Sequence, residues 1–286
     1  MLILSSVING ILYGGVLAVL AFGLNLMFGV VEIVHFFYGQ LVMVGLYVVY
    51  VLVVWCHLPL ILACLIGIAA VMLLNVLSHL TVVQPLLKAP LLNQFLALAS
   101  IMIILENACL VIFGAGYKGI PVNLPVLNIG DLYIRTSNLI AFVGSLITLG
   151  LLYLFLKKTY LGLAIHAVAQ DREAAKLMTI NPKAIYIVTM LTGGALAGVA
   201  ACFFVPIFAV HPHFGGSFTL AAFVTVVLGG MGNLLGGFIG AFIIGVVTML
   251  VSTLASSEVG EIAGLLIFVV VILIRPQGIM GQRSGI

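Results

Sequence analysis

Apolar positions along this chain neither alternate nor recur every three to four residues; they run on in blocks of about 20 or more, separated by short polar stretches. The first block extends from about residue 3 to 56 and is pinched at "GVVEIVHFFYGQ" (29–40), which leaves room for two membrane spans. His57-Leu58-Pro59 separates it from a span near 60–83, which ends at the proline-containing loop "QPLLKAP" (84–90). Further spans are expected at 91–113, 139–156 and 184–209, then a glycine-rich apolar run at 219–254 and a last span at 260–274. Between them, "GAGYKGIPVNLPVLNIGDLYIRTSN" (114–138) has the Gly, Pro and Asn content of an irregular loop. The pattern predicts an all-α, polytopic transmembrane helical bundle of about 8 membrane segments, a single domain over 1–286.

Composition adds what the chain cannot contain. Its residues are 64% hydrophobic and 6% charged, where soluble domains are roughly half apolar. No polar block is long enough to fold as a soluble catalytic, nucleotide-binding or receptor domain, so any such activity is expected to come from another polypeptide. The net charge of +3 rests on few residues and carries no nucleic-acid signal. "MLILSSVINGILYGG" lacks a basic leader region and is expected to belong to the first span. Cys56, Cys64, Cys109 and Cys202 have no metal-ligand spacing and read as isolated thiols. Small-residue pairs at Gly10/Gly14, Gly194/Gly198 and Gly236/Gly240 fit close helix crossings.

Charge then orients the spans. "KKTYLGLAIHAVAQDREAAKLMTINPK" (157–183) holds Lys157, Lys158, Arg172, Lys176 and Lys183 against Asp171 and Glu173. Such an excess of basic residues is retained in the cytoplasm. Counting back places 114–138 outside, Lys88 inside and 56–59 outside. Counting forward, a single crossing at 219–254 would deliver Arg275 and Arg283 to the wrong side. A broken, re-entrant pair near 219–254 removes the conflict, and "LGGMGNLLGG" (228–237) suits the reversal. There Gly229, Gly230 and Gly232 permit a turn and Asn233 can take up freed backbone groups. The pinch at 29–40 reads as a weaker counterpart in the first half, and such paired interruptions point to a transport pathway.

Motifs for covalent chemistry are missing: the chain has no HExxH, no GxSxG and no Walker lysine loop. "HPH" (211–213) could in principle bind a metal, but no carboxylate or Cys lies nearby in sequence, and an interfacial loop is the expectation, with no metal and no cofactor. Glu106, followed by Asn107, lies well inside a span at a cost of about 2.5–3.5 kcal/mol if ionised. It reads either as a polar lining group or as one end of a helix-to-helix hydrogen bond; Glu32 and His35 are equally open. Residues 163–178 form an amphipathic helix stopped by "TINPK", which serves either as an interfacial anchor or as a docking surface for a partner protein.

The charged segment resembles the cytoplasmic signature of permease subunits in the branched-chain amino acid ABC importer family, and other blocks follow in order. "NGILYGGVLAVLAFGLNLMFGVVEIVHFFYGQLVMVGLY" (9–47), "LASIMIILENACLVIFG" (98–114), "AAFVTVVLGGMGNLLGGFIGAFIIGVV" (221–247) and "LIRPQGIMG" (273–281) are similar to that family's remaining blocks. The match is to the shorter of its two permease types. The resemblance implies a bacterial inner-membrane importer with a second permease subunit, two cytoplasmic ATPases and a periplasmic solute-binding protein. It implies a translocation pathway touching His35, Tyr38, Gly39, Gln40, Glu106, Asn107, Gly229, Gly230, Gly232 and Asn233. It further implies ATPase coupling through Ala169, Asp171, Arg172, Ala174, Ala175, Ile180 and Asn181. Three positions depart from the family's usual pattern. "HFFYGQ" (35–40) stands where Asn-Phe-Ala-His-Gly and an acid are common, Glu106 replaces a Gln, and Thr179 replaces a Gly. Amide or urea solutes are the alternative within the family; a stand-alone channel or secondary carrier is the alternative outside it.

Overall fold

The computed structural model describes residues 2–87, 89–120, 122, 125–129, 132–275 and 277–280. The chain runs α1 (Leu2–Val31), α2 (Tyr38–Tyr50), α3 (Leu60–Ser78), α4 (Gln84–Leu86) and α5 (Leu91–Phe113). A hairpin of β1 (Val126–Ile129) and β2 (Leu132–Arg135) then leads to α6 (Thr136–Lys158). After it come α7 (Tyr160–Gln170), α8 (Arg172–Leu177), α9 (Pro182–Phe204), α10 (Phe214–Gly229), α11 (Leu234–Leu254) and α12 (Ser257–Ile274). Among the described residues, seven helices are long and apolar enough to cross a membrane, and α10 and the apolar part of α12 are shorter. The architecture is the all-α polytopic bundle that the hydropathy pattern predicts. The expected irregular loop 114–138 differs in holding a short antiparallel ladder, Val126 opposite Arg135 through Ile129 opposite Leu132. The β-forming residues Val, Leu, Ile and Tyr at these positions favour it.

The longest apolar helix is the axis of the bundle. In α1 the most apolar 18-residue window is 89% buried, against 11% in α5, so the first is a core element and the second a peripheral one. α1 packs on α6, α9, α10 and α11. Glycines set its closest crossing: a Cβ on Gly10 would lie 2.6 Å from Val246 Cα, and one on Gly14 3.0 Å from Phe242 Cα. This pairing makes α1 and α11 antiparallel. α3 and α9 cross the same way, with Gly194 against Met72 and Gly198 against Ile68. The three small-residue pairs thus lie at helix crossings.

α10 and α11 are the broken pair. α10 starts beside Phe204 and Phe208 and descends to Gly229; α11 returns from Leu234. The two arms touch backbone to backbone, since a Cβ on Gly236 would fall 2.0 Å from Gly229 O. Gly230 and Gly232 take φ of 104° and 82° in the turn between them, conformations that side-chain-bearing residues avoid. The chain therefore enters and leaves at one end, and α12 carries Arg275 to the end that holds α7 and α8. Ile279 N–H donates to Leu228 O at 2.8 Å and Met280 N–H to Gly229 O at 3.1 Å, which anchors the tail beneath the turn. Lys88 and Arg283, both used in the charge argument, lie outside the described residues.

The first-half interruption is deeper than composition indicates. α1 ends at Val31, Glu32 adopts φ 60°, and the chain has no regular helix until Tyr38. Ile33, His35 and Phe37 within it are buried. Farther on, α3 widens into a π-helical turn at His79–Val83 just before Pro85. Proline has no N–H and its ring crowds the carbonyl four residues back, so a wider turn accommodates it.

Candidate functional site

Three polar constellations stand out in this apolar bundle. The first gathers around the interrupted segment. His35 Nε2 lies 3.1 Å from Asn75 Oδ1, while Asn75 Nδ2 donates to Met190 O at 2.7 Å. The amide oxygen can only accept, so Nε2 carries the imidazole proton and the buried Nδ1 is left without a partner. Tyr38 OH donates to Gly193 O at 3.2 Å. Thr219 Oγ1 accepts from Gly39 N–H at 3.0 Å, and its own proton faces Gly215 O at 2.9 Å and Gln40 Oε1 at 3.2 Å. Gln40 Nε2 has no hydrogen-bond partner among the described residues. The packing here is closed: a Cβ on Gly39 would lie 2.1 Å from Gly215 O.

The second constellation holds the α10–α11 turn. Asn25, on buried α1, accepts from Gly232 N–H and donates Nδ2–H to Asn233 O at 2.7 Å. Asn233 caps α11 through Gly236 N–H at 3.0 Å and donates to Met280 O at 2.9 Å. The turn is thus fixed from α1 and from the tail at once.

The third is the charged segment, folded as a two-helix elbow. Thr159 caps α7 by accepting from Gly162 N–H, and Asp171 caps α8 by accepting from Glu173 and Ala174 N–H at 2.9 and 3.0 Å. Asn181 caps α9, with Pro182 at its first position. Ala175 is buried and Ile180 half-buried; these seat the elbow on the bundle. Ala169, Asp171, Ala174 and Asn181 are exposed, and Leu177 and Met178 stand 85% and 75% exposed. Arg172 points inward. Its guanidinium lies 3.1 Å from Glu32 Oε2, 3.5 Å from the carbonyls of Val30 and Val31, and 5.6 Å from the Tyr186 ring centre. Those carbonyls end α1, where a cation is favoured by the helix dipole.

Thr179, between α8 and α9, has φ 64°. A left-handed conformation costs an L-residue about 1–2 kcal/mol, and a β-branched one is crowded further. Thr179→Gly is accordingly expected to raise the unfolding midpoint in detergent; an unchanged or lower midpoint would show that the loop carries no such strain.

Glu106 and Asn107 belong to none of these groups. Glu106 pairs with His213 Nδ1, tying α5 to the start of α10, and Asn107 bonds its own helix at Ile103 O. α5 otherwise meets the bundle through Phe36 on Phe95 and Tyr47 on Phe113.

A family model described as "Branched-chain amino acid transport system / permease component" matches residues 6–275. The chain belongs to this permease family. It is 25% identical to the high-affinity branched-chain amino acid transport system permease protein BraD of Pseudomonas aeruginosa, over 98% of this chain and 96% of the other. The Escherichia coli permease protein LivH is also 25% identical, over the same shares. A probable LivH of Methanocaldococcus jannaschii is 27% identical over 96% and 91%. Among solved structures, PsaBC from Streptococcus pneumoniae in complex with Fab shares the fold, with a TM-score of 0.54 over 94% of this chain and 91% of that one at 11% identity.

The permease is a multi-pass membrane protein, and the residues expected along its pathway fall into three separate places. His35, Tyr38, Gly39 and Gln40 sit in closed packing, Glu106 and Asn107 on peripheral α5, and Gly229, Gly230, Gly232 and Asn233 at the hairpin turn. Asn25, Asn75 and Thr219 escaped sequence reasoning. The available signal was a single polar residue in an apolar run, as in "AAVMLLNVL" (69–77), which marks a buried hydrogen bond without naming its partner.

Proposed function

We propose that this permease is one of two membrane subunits of an ATP-driven importer of branched-chain or related amino acids in the bacterial inner membrane. The α7–α8 elbow faces the cytoplasm and docks an ATPase, while a solute-binding protein delivers solute at the opposite, periplasmic face, which carries the β-hairpin. The observation that carries this reading is the elbow itself. A charged surface bearing two exposed apolar side chains, Leu177 and Met178, projects from a chain with no energy source of its own. The closed packing around Gly39 supports a pathway formed with the second permease subunit rather than a tube through one chain. Peripheral α5, carrying Glu106, is the element offered to that pathway. The subunit performs no covalent chemistry on the solute; ATP hydrolysis belongs to its partners.

The test pairs uptake with assembly. Leu177→Asp is expected to lower ATPase co-purification with the permease by more than about tenfold, as loss of a central apolar contact does, and radiolabelled leucine uptake should fall with it. Uptake that persists without the ATPase would identify a stand-alone carrier instead. Competition by amides or urea, stronger than by isoleucine or valine, would reassign the solute within the family.

A further inference from the structure

We propose that the groove between α1, α6, α7 and the start of α11 is a binding site for one anionic phospholipid. The groove has a volume of about 820 Å³, within the ~300–1,000 Å³ range of small-molecule sites. Its two ends differ in chemistry. The deep wall is hydrocarbon, from Phe22, Leu149 and Phe238; the rim carries Tyr153, Lys157 and His166. Lys157 Nζ donates to Tyr153 OH at 3.0 Å and stands 5.4 Å above that ring's centre, so the cation is held at the mouth rather than trailing into solvent.

Three observations select the occupant. Among the described residues no carboxylate lines the groove, so Lys157 offers its positive charge to a phosphate without a competing carboxylate. Away from the rim, the polar side chain among the lining residues is Asn233, already engaged with Gly236 N–H and Met280 O, and the other side chains are apolar, which disfavours a nucleotide or sugar and suits an acyl chain. The groove is also open at its apolar edges, where the lining residues Leu163 and Leu235 are 58% and 69% exposed, an apolar margin that the hydrocarbon of a bilayer can meet. A basic rim at headgroup level above an apolar slot is the arrangement an anionic lipid fits. Such a lipid would wedge between the end of α6 and the α10–α11 turn, bridging the elbow to the broken pair.

The test uses the permease with its partner subunits, exchanged into nanodiscs of equal phosphatidylglycerol and phosphatidylcholine, followed by native mass spectrometry of retained lipid. Wild type should retain phosphatidylglycerol preferentially. Lys157→Gln is expected to reduce that preference up to about fivefold, the effect of one lysine near an anionic headgroup, and adding His166→Gln removes a second polar rim group and should reduce it further. Leu149→Trp, which fills the slot, should lower retention of both lipids. Equal retention of the two lipids by wild type, or unchanged preference in the double Gln variant, would overturn the proposal. Displacement of the lipid by millimolar inorganic phosphate would make this a free-phosphate site and also overturn it. So would cross-linking of a Cys placed at Leu235 to a second permease subunit or an ATPase, since a protein would then cover the groove.

Discussion

Arg172→Glu should reduce ATP-driven uptake by about tenfold or more, a loss within the 5–150-fold range of ordinary coupling free energies, while leaving membrane insertion and ATPase binding intact. The reasoning starts from where the side chain points. Its side chain is 36% exposed and that of Glu32 is 69% exposed, so the ion pair contributes only about 0–1 kcal/mol of stability. Its value is geometric. One guanidinium holds Glu32, the last carbonyls of α1 and the face of Tyr186 together, which makes it a strut between the elbow and the interrupted segment that follows α1. Reversing its charge sets a carboxylate against Glu32 and against the negative end of the helix. The double variant Arg172→Glu with Glu32→Arg restores attraction across the gap and should recover much of the uptake. Full activity in the single variant, or no recovery in the double one with both assembled, would show that motion of the elbow reaches the bundle by another route. Leu177→Asp should separate the two steps, because on the proposed docking it would release the ATPase and leave the strut untouched.

Asn25→Leu is the second large effect. The leucine removes both bonds to the α10–α11 turn and leaves Gly232 N–H and Asn233 C=O unpaired beside a buried helix. Gly232 is exposed and Asn233 half-buried, so water recovers part of the loss; at about 0.5–1.5 kcal/mol per hydrogen bond, a total of roughly 1–3 kcal/mol is expected, a large share of the stability of a marginally stable subunit. Reactivity of buried Cys109 with a thiol dye on heating would report it as a lowered midpoint. Asn25→Asp should be no better, since a carboxylate keeps the acceptor for Gly232 but has no proton for Asn233 O and adds a charge. A midpoint equal to wild type in both variants would show that the tail contacts at Ile279 and Met280 hold the turn alone.

Much of this arrangement was legible before any coordinates because a bilayer punishes error. The apolar runs had to be spans, and the conflict between a straight 219–254 crossing and Arg275 on the wrong side required a reversal; the structure places it at 230–233, with α10 beginning earlier than expected at Phe214. What stayed hidden has one physical character. His35 and Asn75 are 40 residues apart, Glu106 and His213 107, and Asn25 and Asn233 208. A polar residue in an apolar run announces that it must have a partner, but the choice is made by packing, which no local pattern encodes. The depth of residues 32–37 was hidden for a related reason. A short polar stretch has the same composition at the membrane surface as in a bundle interior, and only the neighbours decide which it is.

The anchoring of the tail bears on how the subunit is made. The backbone bonds from Ile279 and Met280 to Leu228 and Gly229 join the end of the described chain to a turn synthesised some fifty residues earlier. During translation, α10 and α11 therefore wait in the membrane with their turn held from the Asn25 side alone until the last helix has crossed and released its tail. A ribosome-stalled chain ending near Arg275 should show the turn open to proteolysis, and release of the complete chain should close it. The order of synthesis would then act as a checkpoint, because the turn beside the α7–α8 elbow gains its second anchor only once the tail at Ile279 and Met280 has been made.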